Sequence, residues 1–237
     1  MKTLLIAHRG AVALAPENTV SAFELALQRG FRAVECDVQL SRDGHLVVIH
    51  DSTLHRLTGA QGWVSRKELG ALRALRLSRG ERIPTLAEAI KTVVVKHHKK
   101  LIIEIKGDSE SHAAKVADAL ATYLAAQPGA IDRHIEVHSF WYPALLAFKR
   151  KNPHITTAAI INGGFSPQQI TAIARKCQAD GVSLNYEFIS KKVVKACHKS
   201  GLFVDTWTAP DNTVMKRLRR FGLEAIIENT TGKAAKA

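Results

Sequence analysis

Short aliphatic and β-branched runs punctuate the chain at 3–8, 33–40, 101–106, 134–139, 156–160, 181–184, 202–207 and 225–228. They alternate little between apolar and polar positions, the pattern of strands covered on both faces. Between them lie segments with apolar residues at three- and four-residue spacing, at 19–29, 86–96, 111–126, 142–151, 167–174, 190–199 and 213–221. These read as helices with one buried face. Asn18 or Thr19 caps the first and Gly30 stops it, while Gly201 closes the helix before the seventh strand. Eight strands with helical crossovers predict an α/β fold, a closed (β/α)8 TIM barrel rather than an open sheet. After the second strand the alternation breaks. The pair Asp43-Gly44 signals a hairpin leading into 46–49, and a long irregular segment then runs from 50 to 84. Connections of that length in compact domains tend to carry function. One barrel domain is expected over 1–231, with 232–237 a frayed tail.

Strand alternation places residues two apart on one face. Glu35 and Asp37 therefore share a face and Cys36 points the other way, while Glu104 and Lys106 share a face of the third barrel strand. His8 ends the first strand. All stand near strand C-termini, where barrel enzymes place their chemistry. A single charge there is ordinarily a solvated rim residue. Two acids at i, i+2 in a doubly covered strand repel each other unless a cation compensates them. With Glu104 they form an all-oxygen set suited to one divalent cation, Mg2+ or Ca2+, and poorly suited to zinc. His8 and His50 follow apolar runs directly, and such imidazoles can serve as a general acid and base. Arg9 and Lys106 are placed to hold an anionic substrate.

Composition narrows the classes. The 237 residues carry 34 Lys and Arg against 21 Asp and Glu, a formal net charge of +13, and aromatics make up 6%. The balance favours an anionic partner. The cations fall in short groups without interleaved aromatics, so they read mainly as solvated helix ends and no nucleic acid is expected. Three cysteines without CxxC spacing fit a reducing compartment. The first nine residues are too short and too charged for a signal peptide, and no 18-residue apolar stretch predicts a membrane span. A cytoplasmic location is the expectation.

Read in order, His8-Arg9-Gly10, Pro16-Glu17-Asn18-Thr19, Ala22-Phe23, Glu35-Cys36-Asp37-Val38, Asp43-Gly44 and His50-Asp51 resemble the glycerophosphodiester phosphodiesterase family. Ile83-Pro84-Thr85-Leu86-Ala87-Glu88, Ile103-Glu104-Ile105-Lys106, Ser139-Phe140 and Trp207-Thr208 continue the match to about residue 208. The resemblance implies a metal-dependent hydrolase releasing glycerol 3-phosphate and an alcohol. It implies metal ligands at Glu35, Asp37 and Glu104, an acid/base pair at His8 and His50, phosphate contacts at Arg9 and Lys106, and a pocket aromatic at Trp207. The implied substrate is a small glycerophosphodiester. Departures are Ala209-Pro210 after Trp207-Thr208, no proline in 226–231, and Ser41 where threonine is common.

Other residues are weaker candidates. Trp63 either roofs the pocket or packs on the surface, His138 is a candidate for the site, and Asn185 is a lesser one. Cys36 is expected to pack behind the acids, and Glu17 and Asn18 to shape the loop before the first helix. Two other readings stay open: a phospholipase D-like enzyme on lysophospholipids, with an entrance formed by Leu69, Leu72, Leu75 and Leu77, and a non-catalytic phosphate- or nucleic-acid-binding barrel.

Overall fold

A computed structural model describes residues 3–229; the tail 232–237 and the divergent Thr230 and Thr231 lie outside the described residues. In chain order the strands are β1 (Leu4–His8), β2 (Ala33–Leu40), β3 (Leu46–Val48), β4 (Lys100–Ile105), β5 (Ile135–Ser139), β6 (Thr156–Ile161), β7 (Gly181–Asn185), β8 (Phe203–Ala209) and β9 (Ala225–Glu228). All but β3 run parallel, and β1 pairs with both β9 and β2, so the sheet closes as an eight-stranded barrel. β3 lies antiparallel on β2, with Val38 opposite Val48, after a turn in which Gly44 takes φ +84°.

Helices α1 (Val20–Gln28), α4 (Leu86–Ile90), α5 (Glu110–Ala125), α6 (Tyr142–Lys151), α7 (Pro167–Lys176), α8 (Lys191–Lys199) and α9 (Asn212–Arg219) return the chain between barrel strands. Thr19, Ser109, Ser166, Ser190 and Asp211 cap five of them with side-chain oxygens. α4 runs on as a wider π-turn over Lys91–Lys96, which completes the single helix the sequence predicts for 86–96. Outward-facing Ala7, Val34, Cys36, Val38, Ile103 and Val137 pack beneath the helices, and inward-facing Ile6, Ala33, Ile102, Ala225 and Ile227 fill the barrel.

The segment 50–84 is more ordered than its sequence suggests. It holds the short helices α2 (His55–Thr58) and α3 (Leu69–Ala74) over an apolar cluster of Val47, Ile49, Leu54, Val64, Leu72, Leu77 and Ile83. Leu69 and Leu75 pack against that cluster. The four leucines that would have formed a lipid entrance therefore hold this cap together.

Candidate active site

Strand register assembles the site. His8 on β1 lies beside Glu35 on β2, and Asp37 on β2 lies beside Glu104 on β4. Oxygens of Glu35, Asp37 and Glu104 lie within 4.8 Å of one another. The Arg9 backbone N–H donates to Glu35 Oε2 at 3.0 Å, and Arg9 Nε stands 3.1 Å from Asp37 Oδ2. Lys106 Nζ lies 2.8 Å from Glu104 Oε1 and 3.7 Å from Asp37 Oδ1. Glu35 Oε1 and Asp37 Oδ1 remain buried without a hydrogen bond. Burial, and then the charges of Asp37 and Glu104, push the Glu35 carboxyl well above its usual range. Burial would raise Asp37 too, but Lys106 and Arg9 hold it below the usual range. Three converging carboxylates with two orphaned oxygens fit a hard divalent cation, since orphaned buried acceptors are costly.

The loop after β1 shapes this arrangement. Arg9 takes φ +57° and Gly10 φ +86°, and a Cβ on Gly10 would lie 2.7 Å from the Ala22 backbone carbon. Only glycine lets the loop close on α1 there. Asn18 donates to Asp37 Oδ2 at 2.8 Å and accepts from the Asp37 N–H at 3.2 Å. Glu17 accepts from Arg9 at 3.0 Å and from Arg56, which also grips Asp51. Glu17 and Asn18 thus shape the loop as expected, and additionally orient charged groups of the site. Arg9 is tied to Glu17, Glu35 and Asp37, more closely bound to acids than a pure phosphate contact requires.

The two imidazoles are held in parallel ways. His8 Nδ1 lies 2.7 Å from Asn229 Oδ1, and His50 Nδ1 lies 2.7 Å from Asp51 Oδ1. An amide oxygen and a carboxylate can only accept, so each Nδ1 carries the proton and Nε2 is the working nitrogen. Burial, then the Arg9 charge, lowers His8 to about 4. Gln39 donates to the carbonyls of Ile49, His50 and Asp51 at 3.1, 3.0 and 2.8 Å, fixing the backbone beneath His50. Gln39 and Asn229 escaped the reading of residue types. Gln39 continues the inward alternation of Glu35 and Asp37; Asn229 adjoins a strand end but carries no spacing signal.

These groups line a cavity of about 140 Å3 at the strand C-termini, with His8, Arg9, Glu35, His50, Glu104 and Lys106 in its wall. Trp207 and Phe140 also line it, stacked edge to face with centroids 5.5 Å apart, and Trp207 Nε1 donates to the Ser183 carbonyl. The Ala209-Pro210 departure leaves Trp207 in place. Trp63 lies outside the cavity beneath the Arg66 guanidinium, and Asn185 pairs with Asn162 instead.

His138 does enter the cavity wall. Its Nε2 lies 2.6 Å from Glu136 Oε1 and 3.7 Å from Asp205 Oδ2, with Lys100 on Glu136 and Ser183 on Asp205. Burial would lower His138, but Asp205 and Glu136 raise it. Burial would raise Glu136, but His138 and Lys100 bring it to about 2. This second cluster has ligand atoms as close as the first. His138 and Lys100 stand against its two acids, so it reads as a buried polar network, although Asp205 Oδ2 is also left without a hydrogen bond.

A family model described as the glycerophosphoryl diester phosphodiesterase family matches residues 8–233. The chain belongs to this family. It is 32% identical to a glycerophosphodiester phosphodiesterase of Caldanaerobacter subterraneus, covering 96% of this chain and 94% of that one. Among solved structures it superposes with TM-score 0.88 at 28% identity on an Oleispira antarctica phosphodiesterase in complex with the product sn-glycerol-3-phosphate, covering 98% and 94% of the two chains. A Thermotoga maritima glycerophosphodiester phosphodiesterase matches with TM-score 0.79 and 26% identity, over 97% and 95%. Among the described residues of this family member, no helix is long and apolar enough to cross a membrane.

Proposed function

We propose that the protein hydrolyses glycerophosphodiesters to sn-glycerol 3-phosphate and an alcohol with the help of one divalent cation, Mg2+ or Ca2+. The observation that carries this reading is a cluster of three carboxylates, two of them with orphaned oxygens, from which Glu35 and Glu104 line one cavity with the two oriented imidazoles. Family membership and the product-bound Oleispira relative support the substrate class.

Glu35, Asp37 and Glu104 would hold the cation, which would neutralise a phosphate oxygen and acidify the glycerol hydroxyl. Arg9 and Lys106 supply positive charge to the phosphate from the cavity wall, and Trp207 with Phe140 forms the apolar side that packs on the glycerol carbons. One histidine Nε2 takes the proton of the glycerol hydroxyl next to the phosphate as that oxygen attacks phosphorus. The other Nε2 gives a proton to the departing alcohol oxygen. Water then opens the cyclic phosphate with the two roles exchanged, which restores both imidazoles.

Purified protein should release glycerol 3-phosphate from glycerophosphocholine with magnesium or calcium and stop when EDTA is added. No release with any divalent cation would overturn the reading. A phospholipase D-like enzyme on lysophospholipids is the runner-up, favoured only by the exposed Phe140, Phe165 and Phe188 near the strand exits. Turnover of lysophosphatidylcholine without turnover of glycerophosphocholine would select it. Cys36, Cys177 and Cys197 are buried free thiols, in keeping with a cytoplasmic setting.

A further inference from the structure

Six exposed cations among the 34 Lys and Arg stand at one end of the barrel. Strands begin and returning helices end at a common rim, opposite the catalytic cavity. Arg150, Lys176, Lys199 and Arg220 stand at the ends of α6, α7, α8 and α9, and Arg32 and Arg133 stand just before β2 and β5. All six are exposed. The carboxylates on this side are already engaged: Glu24 with Lys96, Asp118 with Lys151, Asp132 with His154, Asp180 with Lys149 and Glu224 with His198. None of the six has a carboxylate partner among the described residues. Helix dipoles favour the four cations at helix ends. They do not account for Arg32 and Arg133, which precede strands, or for the missing counter-charges.

We propose that this rim docks the protein on an anionic phospholipid bilayer, with the catalytic cavity turned to the water. The six cations come from six sectors of a closed ring, so a flat charged surface can meet them together, whereas a linear polyanion would reach only some. Among the described residues the exposed aromatics Trp63, Phe140, Phe165 and Phe188 all lie away from this rim, which disfavours stacking of single-stranded nucleic acid there. The choice of lipid rests on the hydrolase reading. A glycerophosphodiester is what a glycerophospholipid leaves when both acyl esters are cut, so a deacylating reaction at a bilayer must supply the substrate. That substrate leaves the lipid phase once both chains are gone, and a cavity facing water can collect it.

Co-sedimentation of the full chain with vesicles tests the proposal. Binding is expected to vesicles of equal parts phosphatidylglycerol and phosphatidylcholine, to be absent with phosphatidylcholine alone, and to be lost at high salt. Each rim cation should contribute about fivefold to partitioning. The combined R150E, K176E, K199E and R220E variant should therefore bind at least about six hundredfold more weakly, yet turn over glycerophosphocholine at the original rate. If the reversals impair folding, the glutamine versions at the same positions serve instead. Replacing Phe165 and Phe188 by alanine should leave vesicle binding unchanged. The proposal is overturned by equal binding to neutral vesicles, by undiminished binding of the rim variant, by loss of binding in the phenylalanine variant, or by tighter binding to a DNA duplex or RNA strand than to vesicles. Absence of vesicle binding with glycerophosphocholine turnover intact would remove the docking surface and leave the hydrolase reading standing.

Discussion

His50 gives its Nδ1 to Asp51, and His8 gives its own to Asn229, so each ring offers the cavity one defined nitrogen. Positioned acid/base groups contribute about 10²- to 10⁴-fold to rate. His8→Ala or His50→Ala should therefore lower kcat by at least that factor while the thermal unfolding midpoint stays within a few degrees. Near-full activity in either variant would remove that histidine from the proton transfers. His138 calls for a different expectation, because it lies between Glu136 and Asp205 inside the barrel. Removing one member of a buried ionic network costs roughly 3–5 kcal/mol. His138→Leu should lower stability by about that amount in urea unfolding, and a loss under about 1 kcal/mol would show that the network is not charged as described.

At the scale of the element, β9 carries an acid where its neighbours carry aliphatics. Ile227 lines the cavity, so Glu228 faces outward with Ile226 toward the helix layer, buried to 4% exposure. Burial raises its carboxyl to about 7, against which Arg219 pulls only weakly. A carboxyl with a raised folded pKa favours the protonated native state. Its contribution is complete below about 4.5 and disappears as pH rises through about 7. Glu228→Gln should match the parent near the lower limit and exceed it in stability above the upper one, by on the order of 2–3 kcal/mol in urea melts. A constant difference across that window would count against the burial argument. The cap over 50–84 is stable for an ordinary reason: Leu72 and Val64 are fully buried in its own cluster. Leu72→Ala should cost about 2–5 kcal/mol and loosen the support behind His50, read as faster proteolysis within 50–84.

For the whole molecule, closure of the barrel forces Glu35, Asp37 and Glu104 together, and their mutual repulsion is relieved only in part by Arg9 and Lys106. A cation that binds the folded site and not the unfolded chain stabilises by mass action. Magnesium or calcium at about a hundred times its dissociation constant should raise unfolding free energy by about 2.7 kcal/mol. EDTA should reverse the gain, and Glu35→Gln combined with Asp37→Asn should abolish it. An unchanged melting curve on adding either ion would argue against the metal site independently of turnover.

Eight barrel strands, their order and the inward aim of Glu35, Asp37 and Glu104 followed from the residues themselves, because apolar runs and two-residue alternation are local properties of a chain. The same holds for Cys36 turning away from the acids and for a cap of α1 at Asn18 or Thr19, of which the fold uses Thr19. Tertiary structure alone decided which distant residues meet. Asn229 reaches His8 across nearly the whole chain because β9 closes against β1. Asp205 on β8 reaches His138 on β5 across the barrel interior, and Ser183 on β7 is its register partner. The leucines at 69, 72, 75 and 77 left an entrance open as an alternative, and the fold packs them into the cap's own cluster. Periodicity states which face a side chain takes, but its partner on that face depends on ring closure and packing over long separations.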